Sequence, residues 1–224
     1  MLALKLGNSL PSSYNSYWTP GDESSCEGWY RHKVGITLNG SDVSAWADGS
    51  GNSRNMVQAT ATEQPAYNST TGALTFASGD DNNLQTTGQI SLDGNFTIGI
   101  KMFPTSTNCT FLADNTTANE LFKISGDATI SVKIDGSAVV LSLDSTEWGD
   151  DYVVITRISD VFTLYQNGTA QTSTPTLSGT ADIDAIGIRK TDVNGFDGTI
   201  KEVQIYSSAS AALTANVNTR LSLL

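Results

Sequence analysis

Apolar and polar residues alternate along most of the chain, with the period of two that an extended strand imposes on its side chains. The pattern is clearest over NFTIGIKMF (95–103), where Phe96, Ile98, Ile100 and Met102 take one face and Thr97, Gly99 and Lys101 the other. ATISVKI (128–134) repeats it, with Ile130, Val132 and Ile134 pointing inward. Asp135-Gly136 joins that strand to AVVLSL (138–143), since an Asp-Gly pair readily takes the left-handed turn that closes a hairpin. Ser159-Asp160 has the same place between YVVITRI (152–158) and VFTLYQ (161–166), and Asn167-Gly168 turns the chain again. Further strands are expected at VGITL (34–38), NMVQATA (55–61), ALTFA (73–77), CTFLA (109–113), ELFKIS (120–125), DIDAIGIRK (182–190) and TIKEVQIYS (199–207). CEGWYRH (26–32) fits one helical turn or a short strand. A helix is expected only near 210–222, where Leu213, Val217 and Leu221 recur every four residues.

Many short strands with one apolar face and tight turns predict an all-β fold. The expected form is a two-sheet antiparallel jelly-roll sandwich with a short C-terminal helix. Residues 1–20 read as an extended N-terminal arm and 21–224 as one domain. In the arm, Leu2, Leu4 and Leu6 alternate with Ala3 and Lys5, and Pro11 and Pro20 interrupt regular pairing. A lone alternating strand cannot bury itself. It is expected either to add to a sheet edge on a partner or neighbouring copy, or to extend its own sandwich.

Charge narrows the partners. The chain of 224 residues carries a net charge of −11, and such a surface repels phosphate backbones, so direct nucleic-acid binding is not expected. No apolar run approaches the roughly 20 residues of a membrane span, so no membrane insertion is expected. MLALKLGNSL lacks the pattern of a signal peptide. Cys26 and Cys109 are expected as buried free thiols rather than a pair.

Candidate chemistry is sparse. The one histidine, His32, lies between Arg31 and Lys33, so neither a nucleophilic triad nor a zinc site is expected. Glycoside hydrolysis needs two opposed carboxylates. The nearest string, Glu147-Trp148-Gly149-Asp150-Asp151, sits at a turn and lacks a second glutamate, so no enzyme is expected. Asp48 with Asn52, and Asp80 with Asp81, are the residue types calcium takes. Neither pair has the spacing of an EF-hand loop, solvated turn residues are the simpler account, and no cofactor is expected. Trp148, Phe196 and Tyr17 lie in turn-rich segments as candidate glycan contacts, with plugging of the sandwich ends as the alternative. Trp46 is expected to be structural: it anchors the sheets, and the Gly49, Gly51 and Asn52 turn takes positive φ to send the chain back over it.

Three stretches carry a resemblance. VSAWADGSGN…QATATEQPAY, WGDDYVVITRISDVFTLYQNGT and FDGTIKEVQIYSSA are similar, in that order, to segments of concanavalin A-like, laminin-G-type jelly-roll domains. The second departs from the family by placing Tyr152, not a tryptophan, before its apolar strand, with Trp148 four residues earlier. The short opening and the acidic, Asn/Ser/Thr-rich body also resemble bacteriophage virion structural proteins, particularly of phages infecting cyanobacteria. That resemblance implies a non-enzymatic virion protein, made in the host cytoplasm, forming part of the exterior head, neck or tail or decorating it. Its implied partners are other virion proteins or copies of itself. The fold resemblance implies the alternative, a carbohydrate-binding or adhesion module recognising host surface glycans. Deleting residues 1–20 is expected to leave the body folded, by circular dichroism, and to abolish incorporation into a larger assembly; normal incorporation would show that the arm is no anchor.

Overall fold

The computed structural model describes residues 18–145, 148–189 and 194–224. The arm residues Leu2, Leu4 and Leu6, the aromatic Tyr17 and Glu147 lie outside them.

The ambiguous CEGWYRH segment is extended, as β1 (Cys26–Tyr30). A hairpin follows, β2 (Ile36–Asn39) and β3 (Asp42–Trp46), turning through Gly40 at φ 67°. Of the strand expected over 55–61, only β4 (Met56–Val57) forms, and Ala61–Glu63 makes a 3-10 turn. The amide of Gln64 reaches back to the Gln58 carbonyl at 2.7 Å and closes that turn. After Pro65 come β5 (Ala66–Asn68) and β6 (Ala73–Phe76). The long strand β7 (Leu84–Leu92) carries no strong sequence signal, because its LQTTGQISL run turns mostly polar side chains to water between buried Leu84, Ile90 and Leu92.

The strongly alternating segments form as expected: β8 (Phe96–Pro104), β9 (Cys109–Ala113), β10 (Leu121–Gly126), β11 (Thr129–Ile134) and β12 (Ser137–Ser142). Next come β13 (Asp151–Ile158), β14 (Val161–Gln166), β15 (Thr169–Ala170), β16 (Ala181–Ile186) and β17 (Gly198–Tyr206). All three anticipated hairpin turns hold paired positive φ values: Asp135 49° and Gly136 82°, Ser159 49° and Asp160 66°, Asn167 49° and Gly168 81°. The chain ends in α1 (Ala211–Leu221), capped by Ser210, whose hydroxyl accepts the Leu213 amide at 3.1 Å.

The described strand pairings are antiparallel. One run orders as β1, β17, β8, β13, β14, β15. The other orders as β7, β16, β9, β10, β11, β12. Two separate sheets were expected, but the hydrogen bonding is continuous. From β17 it passes through β6, β5, β3 and β4 to β7, because the short N-terminal strands wrap one margin and pair with both runs.

The two runs share one apolar core. Ile98, Ile100, Ile155 and Val203 from the first meet Phe111, Phe122, Ile130 and Ile183 from the second. Phe96 lies 6.3 Å from Phe122 and 5.7 Å from Phe162, edge-on to both. At about 25 cal/mol per Å² of apolar surface removed from water, this burial outweighs any single polar contact in the fold.

The opposite face of the first run is covered as well. Leu213, Val217 and Leu221 of α1 pack with Trp29, Val154 and Tyr206. Thr97, Gly99 and Lys101 therefore lie beneath other groups rather than in water. Gly99 is required there, since any Cβ would collide with Val217. Glu202, fully buried, holds the helix down: it accepts from Arg220 Nε at 2.9 Å and Nη2 at 2.8 Å, from Trp29 Nε1 at 3.1 Å and from the His32 amide at 3.1 Å.

Trp46 is fully buried beside Tyr30, and its indole donates to the Arg31 carbonyl at 3.0 Å. The turn behind it works differently from expectation. Gly51 takes φ 93°, but the second left-handed residue is Ser53 rather than Asn52, and Gly49 is not left-handed. Gly49 is small for space, because a Cβ would press to 3.0 Å from the Trp29 ring. Asn52 instead ties the turn to β1 by donating to the Cys26 carbonyl at 2.8 Å.

Cys26 and Cys109 are free and buried. Burial pushes the Cys26 thiol up to about 12 and that of Cys109 up to about 11, so both stay protonated and inert. Among the described residues no helix is long and apolar enough to cross a membrane.

Replacing Glu202 with alanine strands the Arg220 charge and frees the helix. The expected loss is about 3–5 kcal/mol by urea denaturation; a loss below about 1 kcal/mol would show that apolar packing alone seats α1.

Candidate functional site

With one face closed by α1, side chains can converge on a ligand at the ends of the strands and on the outer face of the second run. At one such end lies a polar cavity of about 240 Å³, lined by Glu63, Asp81, Asn83, Gln85, Asn115 and Ile188. Glu63 closes the 3-10 turn, and Asp81 stands just after the turn at Ser78–Asp80 with φ 53°. Asn83 leads into β7, Gln85 lies near its start, Asn115 follows β9, and buried Ile188 follows β16.

Hydrogen bonds fix most of the lining before any ligand arrives. Gln58, itself buried, donates from Nε2 to Glu63 Oε2 at 3.1 Å and to Asn83 Oδ1 at 2.9 Å. Asn83 Oδ1 also accepts from Gln85 Nε2 at 2.8 Å, and its Nδ2 donates to the Asp81 carbonyl at 2.8 Å. The Asn83 amide is held by the Glu63 carbonyl at 3.0 Å. Asn115 is placed from the other side, its backbone N–H donating to Asp184 Oδ1 at 2.6 Å. One acceptor is left over: Asn115 Oδ1 is shielded from water and has no partner. A buried unmatched acceptor carries a desolvation cost of about 1–3 kcal/mol.

The residues singled out in the sequence fall in different places. Asp81 lines the cavity and Asp80 is exposed beside it. Asp48 is far from free: its carboxylate accepts from the Trp29, Ser50 and Arg54 amides at 3.0, 2.8 and 3.1 Å and from the Ser50 hydroxyl at 2.7 Å. With its lone pairs turned to N–H and O–H donors, and the Asn52 amide nitrogen on Cys26, this turn does not fit calcium. Among the described residues no three His, Cys, Asp or Glu side chains group to hold a metal ion.

Phe196 is corrected from glycan contact to core: it is fully buried, edge-on to Phe76 at 6.0 Å, because its Asp-Gly entry tucks the ring beneath β17. Trp148 is half-buried against the core and donates to the Gly126 carbonyl at 3.4 Å. Trp18, not singled out by the sequence, faces a recess of about 300 Å³ with Asn216, Thr219 and Leu223. Its indole is committed to Glu23 at 2.7 Å, and the recess's cation, Arg220, to Glu202 at 2.8 Å.

The sequence reading also passed over Glu63, Asn83, Gln85 and Asn115. Asp80-Asp81-Asn82-Asn83, followed by Gln85, is a run of hydrogen-bonding side chains in which Asn82 and Asn83 are nonetheless buried. The signal was the amide density; the burial that gives it meaning was not legible.

On the face beside the cavity, burial raises the Asp184 carboxyl above its ordinary value, and the charges of Asp114 and Asp182 push the same way. Burial likewise raises Glu120, whose Oε2 accepts the Asp182 amide at 2.6 Å.

No protein-family model matches the chain, and no curated protein matches it by sequence. Solved structures do match in shape. Domain 4 of AbnA, a GH43 extracellular arabinanase from Geobacillus stearothermophilus, in complex with arabinotriose, is similar at TM-score 0.56 and 15% identity, over 88% of this chain and 98% of that one. The receptor-binding domain of botulinum neurotoxin type G is similar at TM-score 0.55 and 14% identity, over 89% of this chain and 51% of that one. A sialidase of Trypanosoma rangeli gives TM-score 0.53 and 12% identity, over 89% of this chain and 32% of that one. The chain thus spans nearly all of the arabinanase domain but about half of the neurotoxin domain and a third of the sialidase. At these identities the likeness is one of fold alone, an all-β sandwich.

An acid whose folded pKa is raised adds stability below its unfolded pKa, and that stability is lost as pH rises through the folded value. Asp184→Asn removes this loss. Urea melts across pH 4 to 7 should therefore show the variant gaining on the parent as pH rises; a constant difference would mean that Asp184 titrates as in the unfolded chain.

Proposed function

We propose that the chain is a non-enzymatic carbohydrate-binding module, a jelly roll of concanavalin A type that holds glycans in the Glu63–Asn115 cavity. The observation that carries this reading is a polar cavity whose lining amides and carboxylates are oriented by hydrogen bonds before any ligand arrives. Amides offer both donors and acceptors and carboxylates offer acceptors, which is the complement of a ring of hydroxyl groups. Preset geometry lowers the ordering cost of binding a flexible, strongly hydrated ligand. The shape likeness to a domain bound to arabinotriose, over nearly the whole of both chains, supports the same reading, as does the likeness to a type C neurotoxin whose cell entry depends on two ganglioside molecules.

The virion reading rests on sequence resemblance. It is compatible with glycan binding, since an exterior virion module can recognise a host surface.

The test is a glycan array followed by calorimetry on the full chain, with neutral arabino-, xylo-, gluco- and galacto-oligosaccharides beside sialylated and uronate-containing ones. Binding is expected, and Asn115→Ala should weaken it about tenfold while raising the melting temperature, since the unmatched acceptor is removed with the side chain. If no glycan binds at millimolar concentration, the reading falls. If Trp148→Ala abolishes binding and Asn115→Ala leaves it intact, the site is elsewhere.

A further inference from the structure

Resting on the carbohydrate reading, the geometry points to a specificity: we infer that the cavity takes a single neutral sugar ring and rejects one bearing a carboxylate. Two of its six lining residues, Glu63 and Asp81, are carboxylates, and none is a cation. Among the described residues the ion pairs join Glu27 to Arg54, Asp150 to Lys101 and Lys201, and Glu202 to Arg220. Neither cavity carboxylate is neutralised in this way, and the chain's net charge of −11 adds to the same field.

The hydrogen-bonding inventory points in the same direction. Asn83 Oδ1 accepts two amide bonds, from Gln58 and Gln85. Glu63 accepts one, from Gln58 Nε2. The lining is therefore rich in acceptors, with the carboxylates of Glu63 and Asp81 and no cation among its six residues. Sugar hydroxyls donate to such groups, whereas an ionised sialic or uronic acid group presents only further acceptors. At about 240 Å³ the cavity is smaller than the roughly 300–1,000 Å³ of a drug-sized site, which suits one ring of a longer glycan rather than a buried oligosaccharide. A ligand charge about 4 Å from one lining carboxylate is disfavoured about fivefold even in water-like surroundings. Two carboxylates make the combined preference for the neutral sugar about tenfold or more.

The experiment takes the tightest neutral binder from the glycan panel and its uronate counterpart, galactotriose with trigalacturonate for example, and measures both by calorimetry at low and high salt. The neutral sugar should bind at least about tenfold tighter at low salt, with the gap narrowing as salt screens the repulsion. In the double variant Glu63→Gln, Asp81→Asn the gap should shrink several-fold. Both changes are isosteric, the introduced glutamine side chain keeps an acceptor for the Gln58 amide, and asparagine tolerates the left-handed backbone at Asp81. Equal or tighter binding of the acidic sugar, a panel whose binders are all acidic, or a gap unchanged in the double variant would each overturn the specificity while leaving carbohydrate binding in place. If no glycan of either kind binds, the carbohydrate reading itself fails.

Discussion

The structure depends on the closure of both faces of its first strand run. One side of β8, β13 and β17 meets the second run across a continuous apolar core, and the other side is sealed by α1. A strand buried on both sides cannot afford an exposed polar side chain, so every polar group there is matched. Thr97 donates to the Ser208 carbonyl at 2.9 Å, and Gln204, Tyr206 and Glu202 hydrogen-bond in a chain along one strand face. Closing this face also removes it from recognition and leaves that task to the strand ends and the second run.

Two charged side chains, Arg157 and Asp48, are each held by several fixed partners. Arg157 is fully buried, and among the described residues it forms no ion pair. Its guanidinium donates to the Gly94 carbonyl at 2.8 Å, to Leu92 at 3.0 Å and to Gly179 at 2.7 Å, and stacks 4.7 Å from the Phe96 ring. It thereby fastens the β7–β8 turn to the entry of β16, and burial lowers its pKa. Asp48 has the mirror role as an anion, gathering N–H and O–H groups from β1 and its own loop. A carboxylate enclosed in this way organises a turn, whereas Glu63 and Asp81 line a cavity.

The cavity joins segments far apart in the chain. Residues 63, 81–85, 115 and 188 meet because β4 pairs with β7, β7 with β16 and β16 with β9. Asn115 owes its position to Asp184, on a different strand. Stability and recognition are therefore coupled at this end: the buried carboxyl that orients Asn115 costs stability when it ionises.

The sequence by itself determined the strands whose two faces differ in polarity, the three left-handed hairpin turns and the stripe of the terminal helix, because each depends on residues close along the chain. Trp46 was legible as an anchor for the same reason. The tertiary structure alone decided that one continuous hydrogen-bonded network replaces two sheets, that Phe196 lies in the core, and that β7 pairs despite its polar run. It alone decided that Asp48 is saturated while Asp81 opens onto a cavity. A carboxylate or an amide reads the same in sequence whether it faces water, a backbone amide or a ligand, and only the packing of distant segments assigns it one of the three.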